Sequence, residues 1–214
     1  MAAEPGAPAA GTADLAWTPA RQQALSRTPL LALNFHEVPP DWRAEARRRL
    51  VQLSERAPGL DLDRLDQQAD GPRVVVGWYD GWRDTALFGA EVCADLGIRA
   101  FFFPITRPQA SGRGTLTPDD LASIATAHEV GFHTATHRSA PTITPRLLAG
   151  EVDRPMAELE AATGRRPRIA AWLLGSRFDP ALVANQRLRE LGVTFMMSNW
   201  SVERIPAADR SQPE

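Results

Sequence analysis

Cysteine is almost missing from this chain. The single Cys93 cannot form an internal disulfide, and its place in a helical apolar pattern reads as packing rather than as a nucleophile. Long apolar runs are absent as well. No stretch reaches eighteen apolar residues, which excludes a spanning helix of ordinary length. Charge of one sign is not in excess: the formal net charge of -2 gives no general attraction to nucleic acid or to an anionic membrane, and neither is expected as a partner. The opening residues lack the basic start and long apolar centre of a secretion signal, so the expected location is cytoplasmic. Residues 1–28, rich in Ala, Pro and Gly, read as a flexible arm.

What is present is the composition of a globular chain. Apolar residues make up 43% of the 214, enough to build a core without covalent staples. Apolar strand-like runs alternate with segments of helical spacing. Strands are expected at Pro29–Phe35, Arg73–Trp78, Ile98–Ile105, Val130–Phe132, Arg168–Leu174 and Val193–Met197. Helices are expected from Asp41 as cap, over Asp84–Leu96, from Thr117 to about His128, over Thr144–Thr163, and from Asp179-Pro180 to Leu191. This alternation, with no second composition regime, predicts one α/β domain over residues 29–206 with a mostly parallel sheet and a loose tail at 207–214.

The strand ends carry the chemistry. The run V-V-V-G-W-Y ends in Asp80-Gly81, and E-V-G-F-H-T-A-T-H places His133 and His137 four apart. One carboxylate and two imidazoles at the ends of strands can hold a divalent metal, because three protein ligands leave a coordination position open for water. Each feature also has a plainer reading. Asp-Gly is ordinary turn chemistry, and two histidines in a polar loop can be hydrogen-bonded only to their neighbours. His128, at a helix C-terminus, reads as structural.

The pattern as a whole resembles the polysaccharide deacetylases, the NodB-homology group of carbohydrate esterase family four. V-V-V-G-W-Y-D-G-W resembles the family's first motif, Thr-Phe-Asp-Asp-Gly, with Tyr79 at the first Asp and Asp80 at the second. His133-Thr134-Ala135-Thr136-His137 matches the second motif, His-Ser/Thr-x-x-His. I-A-A-W-L-L-G-S-R-F-D loosely resembles the third, and L-A-L-N-F-H-E-V resembles the opening Tyr-His strand of circularly permuted members.

The resemblance implies a single irregular (β/α) barrel. It implies that Asp80, His133 and His137 bind one divalent metal, typically zinc, which activates a water to attack the acetyl carbonyl of an amino sugar or related amide or ester. It makes His36 the general acid, and Trp78, Trp82, Trp172 and Trp200 an apolar wall for the sugar. Tyr79 stands where the family has its general base. A phenol with a reference pKa of about 10 is a poor base at neutral pH unless a nearby dication lowers it. Glu37, Asp84 and Asp179 are the other carboxylates near strand ends. The alternative is a non-catalytic relative that binds a carbohydrate or small ligand. The oligomeric state, the metal and the exact substrate are left open by the sequence.

Overall fold

A computed structural model describes residues 30–63, 72–107, 114–199 and 201–207. Trp200, the arm at 1–28 and all but residue 207 of the tail lie outside these residues. β1 (Leu30–Phe35), β2 (Arg73–Asp80), β3 (Phe101–Pro104) and β4 (Glu129–Val130) form a parallel sheet in that order. β5 (Ile169–Ala171) and β6 (Phe195–Met197) continue in parallel, and β7 (Val202–Arg204) adds an antiparallel edge. The two sheets meet just past β4. There Phe132 N–H donates to the Ile169 carbonyl at 2.9 Å, and its own carbonyl accepts from Ala171 N–H at 3.0 Å.

Helices α1 (Arg43–Ser54), α2 (Arg83–Asp95), α3 (Pro118–Ile124), α4 (Arg154–Thr163) and α5 (Val183–Glu190) fill the connections. This is the α/β architecture of an irregular (β/α) barrel. Among the described residues no strand ladder joins β7 back to β1. The Asn34 side chain of β1 reaches instead to the turn between β6 and β7, donating to the Asn199 carbonyl at 2.9 Å. No helix among the described residues is long and apolar enough to cross a membrane.

Strand alternation sorts the core into an inside and an outside. Ala32, Val75, Tyr79, Phe101, Phe103, Ile169, Ala171, Phe195 and Met197 pack together in the interior enclosed by the strands. Their neighbours Leu33, Phe35, Val74, Val76, Trp78 and Phe102 face outward and pack with Leu50, Val92 and Cys93 of the helices. A third cluster holds Phe132, Ala170, Trp172 and Met196 against Met156 and Leu188. The lone thiol of Cys93 sits in the outer packing, and burial pushes its pKa up to about 12.

Several boundaries differ from the expected ones for physical reasons. Asp41 does not cap α1: it falls within a 3-10 turn, Pro40–Trp42, and no side chain caps the helix. Asp179 likewise accepts from Ala181 N–H in a tight turn at 2.8 Å, and α5 starts only at Val183. Thr117 does cap α3, through a reciprocal box with Asp120, yet that helix ends at Ile124 rather than near His128. The segment Thr144–Thr163 is compound. A 3-10 turn and a π-helical turn, Ala149–Asp153, precede α4. Pro155 has no amide hydrogen to return to the Glu151 carbonyl four residues back, and a widened turn just before it accommodates that loss. β7 has no apolar pattern to announce it, and the run expected as a strand to Leu174 ends at Ala171.

Trp78 tests how tightly the outer layer is packed. A Cβ added at Gly89 of α2 would lie 2.4 Å from its ring carbons, and Trp78 is itself stacked on Phe35 at 4.3 Å. In an open helix Gly→Ala is favourable by about 1 kcal/mol. Here Gly89→Ala should instead lower the urea midpoint by an amount worth about 1–3 kcal/mol. A gain in stability would mean that the indole is free to shift.

Candidate metal centre

The carboxyl ends of the parallel strands bring the predicted ligands together. Asp80 is the last residue of β2 and adopts φ +69°, and Gly81 follows at φ +74°. His133 comes just after the Phe132 bridge, and Thr134 and His137 adopt φ +67° and +62°. Left-handed backbone at a non-glycine residue costs on the order of 1–3 kcal/mol and persists only where the surroundings impose it. Three such residues within one small cluster mark a loop held in a set shape.

Asp80 is the hub. Its Oδ1 lies 3.6 Å from His133 Nε2 and 3.4 Å from His137 Nε2, close but beyond good hydrogen bonds. Its Oδ2 accepts from His36 Nδ1 at 3.2 Å. Parallel pairing of β1 with β2 delivers that contact, because Phe35 and Trp78 are register partners. Burial works against the Asp80 carboxylate, but the adjacent His133 and His36 outweigh it and hold its pKa well below the ordinary range. His133 Nδ1 donates to the Ala171 carbonyl at 2.8 Å. That bond fixes the tautomer and leaves the lone pair on Nε2, as metal-binding histidines require. Burial, and then His133, lower the pKa of His137, which keeps its imidazole neutral near pH 7.

Asp80 Oδ1, His133 Nε2 and His137 Nε2 are all buried without a hydrogen-bond partner, and the ligand atoms of the three residues lie within 4.8 Å of one another. Buried polar atoms are normally paired. Three unpaired donor atoms converging on one point fit a divalent cation, and a two-imidazole, one-carboxylate set suits zinc and its neighbours.

The remaining predicted residues separate. Tyr79 points into the barrel: its ring is buried, stacks on His36 at 5.0 Å and on Phe103 at 5.1 Å, and meets His133 edge-on at 5.6 Å. Its hydroxyl donates to Asn34 Oδ1 at 3.4 Å. Trp82 is half-buried directly after Asp80-Gly81 and forms a β-bridge with Thr115.

Trp78 and Trp172 must be corrected as sugar-facing walls. Trp78 lies in the outer core against α2. Trp172 is buried with Phe132, its Nε1 donating to Asn185 Oδ1 at 2.7 Å. Asp84 pairs with Arg43 at 3.3 Å, and Glu37 is exposed. His128 is structural, accepting from Ala100 N–H at Nδ1 and donating to the Ala90 carbonyl from Nε2. Two residues that pattern reading passed over are Asn34 and Glu151. Asn34 had a signal, as a lone amide inside the apolar run L-A-L-N-F. Glu151 had none, because its sequence context is that of any polar position on an amphipathic helix.

Residues 66–196 match the family model of the polysaccharide deacetylases; β1, with His36, precedes the matched region. No curated protein matches the chain. Among solved structures, IcaB from Ammonifex degensii is similar with a TM-score of 0.65 at 20% identity, over 78% of this chain and 82% of its own. PplD from Streptococcus pyogenes, in complex with acetate, gives 0.60 at 15%, over 77% and 80%. BC0361, a polysaccharide deacetylase from Bacillus cereus, gives 0.58 at 19%, over 74% of this chain and 54% of its own. At these identities the likeness is one of fold.

If the cluster binds a cation, zinc at about a hundred times its dissociation constant should stabilise the protein by about 2.7 kcal/mol. The gain should vanish with chelator and in His137→Ala, as thermal unfolding would report. Imidazole protonation competes with the metal, so the gain should be full at pH 7–8 and lost as pH falls below about 6. A zinc response that persists in full in His137→Ala would place the cation elsewhere.

Proposed function

Since this chain belongs to the polysaccharide deacetylase family, we propose that it hydrolyses the acetyl amide, or ester, of an amino sugar or related carbohydrate, with one divalent cation held by Asp80, His133 and His137. The observation that carries this reading is the convergence of three buried, unpartnered ligand atoms at the strand ends. The cation, zinc in the first instance, supplies Lewis acidity to the acetyl oxygen and lowers the pKa of water.

The residues of the chain then have distinct tasks. Asp80 uses one oxygen toward the cation site and the other to orient His36. A carboxylate only accepts, so His36 Nδ1 is the donor and, in the neutral ring, Nε2 carries the lone pair. In the reaction, water oxygen bonds to the acetyl carbon, the C–N bond breaks, and the amine departs with a proton, giving acetate. His36, half-buried against Asp80, is the group suited to hand over that proton near neutral pH. Of the four tryptophans expected to line a sugar, Trp82, half-buried two residues after Asp80, is the described one left for that task.

The proton lost by water needs an acceptor, and Tyr79 stands at the usual base's place. Its hydroxyl faces Asn34 Oδ1 at 3.4 Å, and without a dication close enough to lower its pKa a phenol stays protonated at neutral pH. We therefore assign both proton transfers to His36, taken from water and then given to the amine, and make Tyr79 the floor on which the imidazole stacks.

Acetate release from N-acetylglucosamine oligomers and O-acetylated sugars, with zinc or cobalt loaded, tests this. His36→Ala should lower kcat by a factor of about a hundred to ten thousand, the usual value of a positioned acid–base group. Tyr79→Phe should keep kcat/KM within a few-fold. A hundred-fold loss in Tyr79→Phe would make the phenol the base. No acetate from any of these sugars by a metal-loaded protein would favour the binding-only relative, for which the missing carboxylate at position 79 is the motivating observation.

A further inference from the structure

The loop that carries His133 and His137 is closed by groups outside the cation site. Thr134 Oγ1 accepts from Arg138 N–H at 3.0 Å, which ties one end of the loop to the other. Glu151, on the π-helical turn Ala149–Asp153, reaches the loop from the next element. Its Oε2 accepts from Thr136 N–H at 3.1 Å. Its Oε1 accepts from Thr136 Oγ1 at 2.7 Å and from Arg138 Nε at 3.2 Å. The carboxylate is buried at 7% exposure, so it is committed to these donors rather than to water.

A buried carboxylate is costly unless its lone pairs are used, and bonds to an ionised acceptor are about twice as strong as neutral ones. The bonds fall on the residues either side of His137, which itself holds φ +62°. Left-handed backbone needs such an external restraint. The widened turn upstream of Pro155 is what presents Glu151 toward the loop, and single π-turns inside helices are frequent next to functional sites.

We propose that Glu151 is a positioning residue for the cation site: by clamping Thr136 and Arg138 it holds His137 in the backbone conformation that aims Nε2 at Asp80. It touches neither cation nor substrate. This rests on the cation reading above, and it explains why a buried acid is spent on a loop that already has Thr134 as an internal tie.

The test uses the full chain and cobalt(II) alone as probe, because its visible absorption reports ligand geometry. Glu151→Ala should weaken cobalt binding by about ten- to a hundred-fold, the usual effect of removing a partner of the ligand loop, and should change the absorption spectrum of the saturated protein. Glu151→Gln, which can still accept from Thr136, should fall between Ala and wild type. In the metal-free protein the Thr136 amide should exchange with solvent at least ten-fold faster in Glu151→Ala than in wild type, as NMR would report.

Folded variants with wild-type affinity, spectrum and Thr136 exchange would overturn the proposal. A fall in thermal stability with affinity and spectrum unchanged would also overturn it, by making Glu151 merely structural. If Glu151→Ala does not fold, Glu151→Gln and Thr136→Val decide by the same readings. If wild type itself binds no cobalt, the cation reading fails, and the exchange rates still decide whether Glu151 holds the loop.

Discussion

One carboxylate organises this molecule. Asp80 faces two imidazoles with one oxygen and a third with the other, although its burial favours the neutral acid. A buried anion of this kind survives only among groups that compensate it. Those groups come from just after β1 and from the loop after β4, both far in sequence from Asp80 at the end of β2. The parallel order β1-β2-β3-β4 brings them together at one end, where barrels of this type carry their chemistry.

The division between inside and outside decides what each aromatic residue does. Trp78 and Tyr79 are adjacent, so they leave β2 on opposite faces. The indole fills the layer between sheet and helices, and the phenol fills the barrel beneath His36. Trp78 and Asp80 share strand parity, yet the indole packs in the outer layer while the carboxylate meets the imidazoles at the strand end. Parity fails there because φ +69° at Asp80 turns the chain as the strand ends. That backbone turn belongs to the tertiary structure, and its only sequence trace is the Asp80-Gly81 pair.

Much of the fold and the centre of the site could be read directly, because both depend on local signals. Apolar runs announced six of the strands, and His133-x-x-x-His137 announced the loop. What escaped depended on partners distant in sequence or on backbone pairing alone. β7, V-E-R, is held to β6 by its ladder, while its Glu203 takes Arg177 and Phe178 N–H as partners. Trp172 was misplaced because its anchor, Asn185, lies in the following helix. Glu151 escaped because its meaning lies in a loop fifteen residues upstream, and because a proline four residues later shapes the turn that presents it.

Between β1 and the turn that joins β6 to β7, a side-chain amide stands in for a strand ladder. The nitrogen of Asn34 grips the Asn199 carbonyl, while its oxygen takes the Tyr79 hydroxyl. One amide is a softer fastening than a row of backbone bonds. Because both ends of that amide are in use, any widening of the wall tugs on the phenol and, through the stacked ring, on the imidazole above it. The setting of that seam and the placement of His36 thus meet at a single residue.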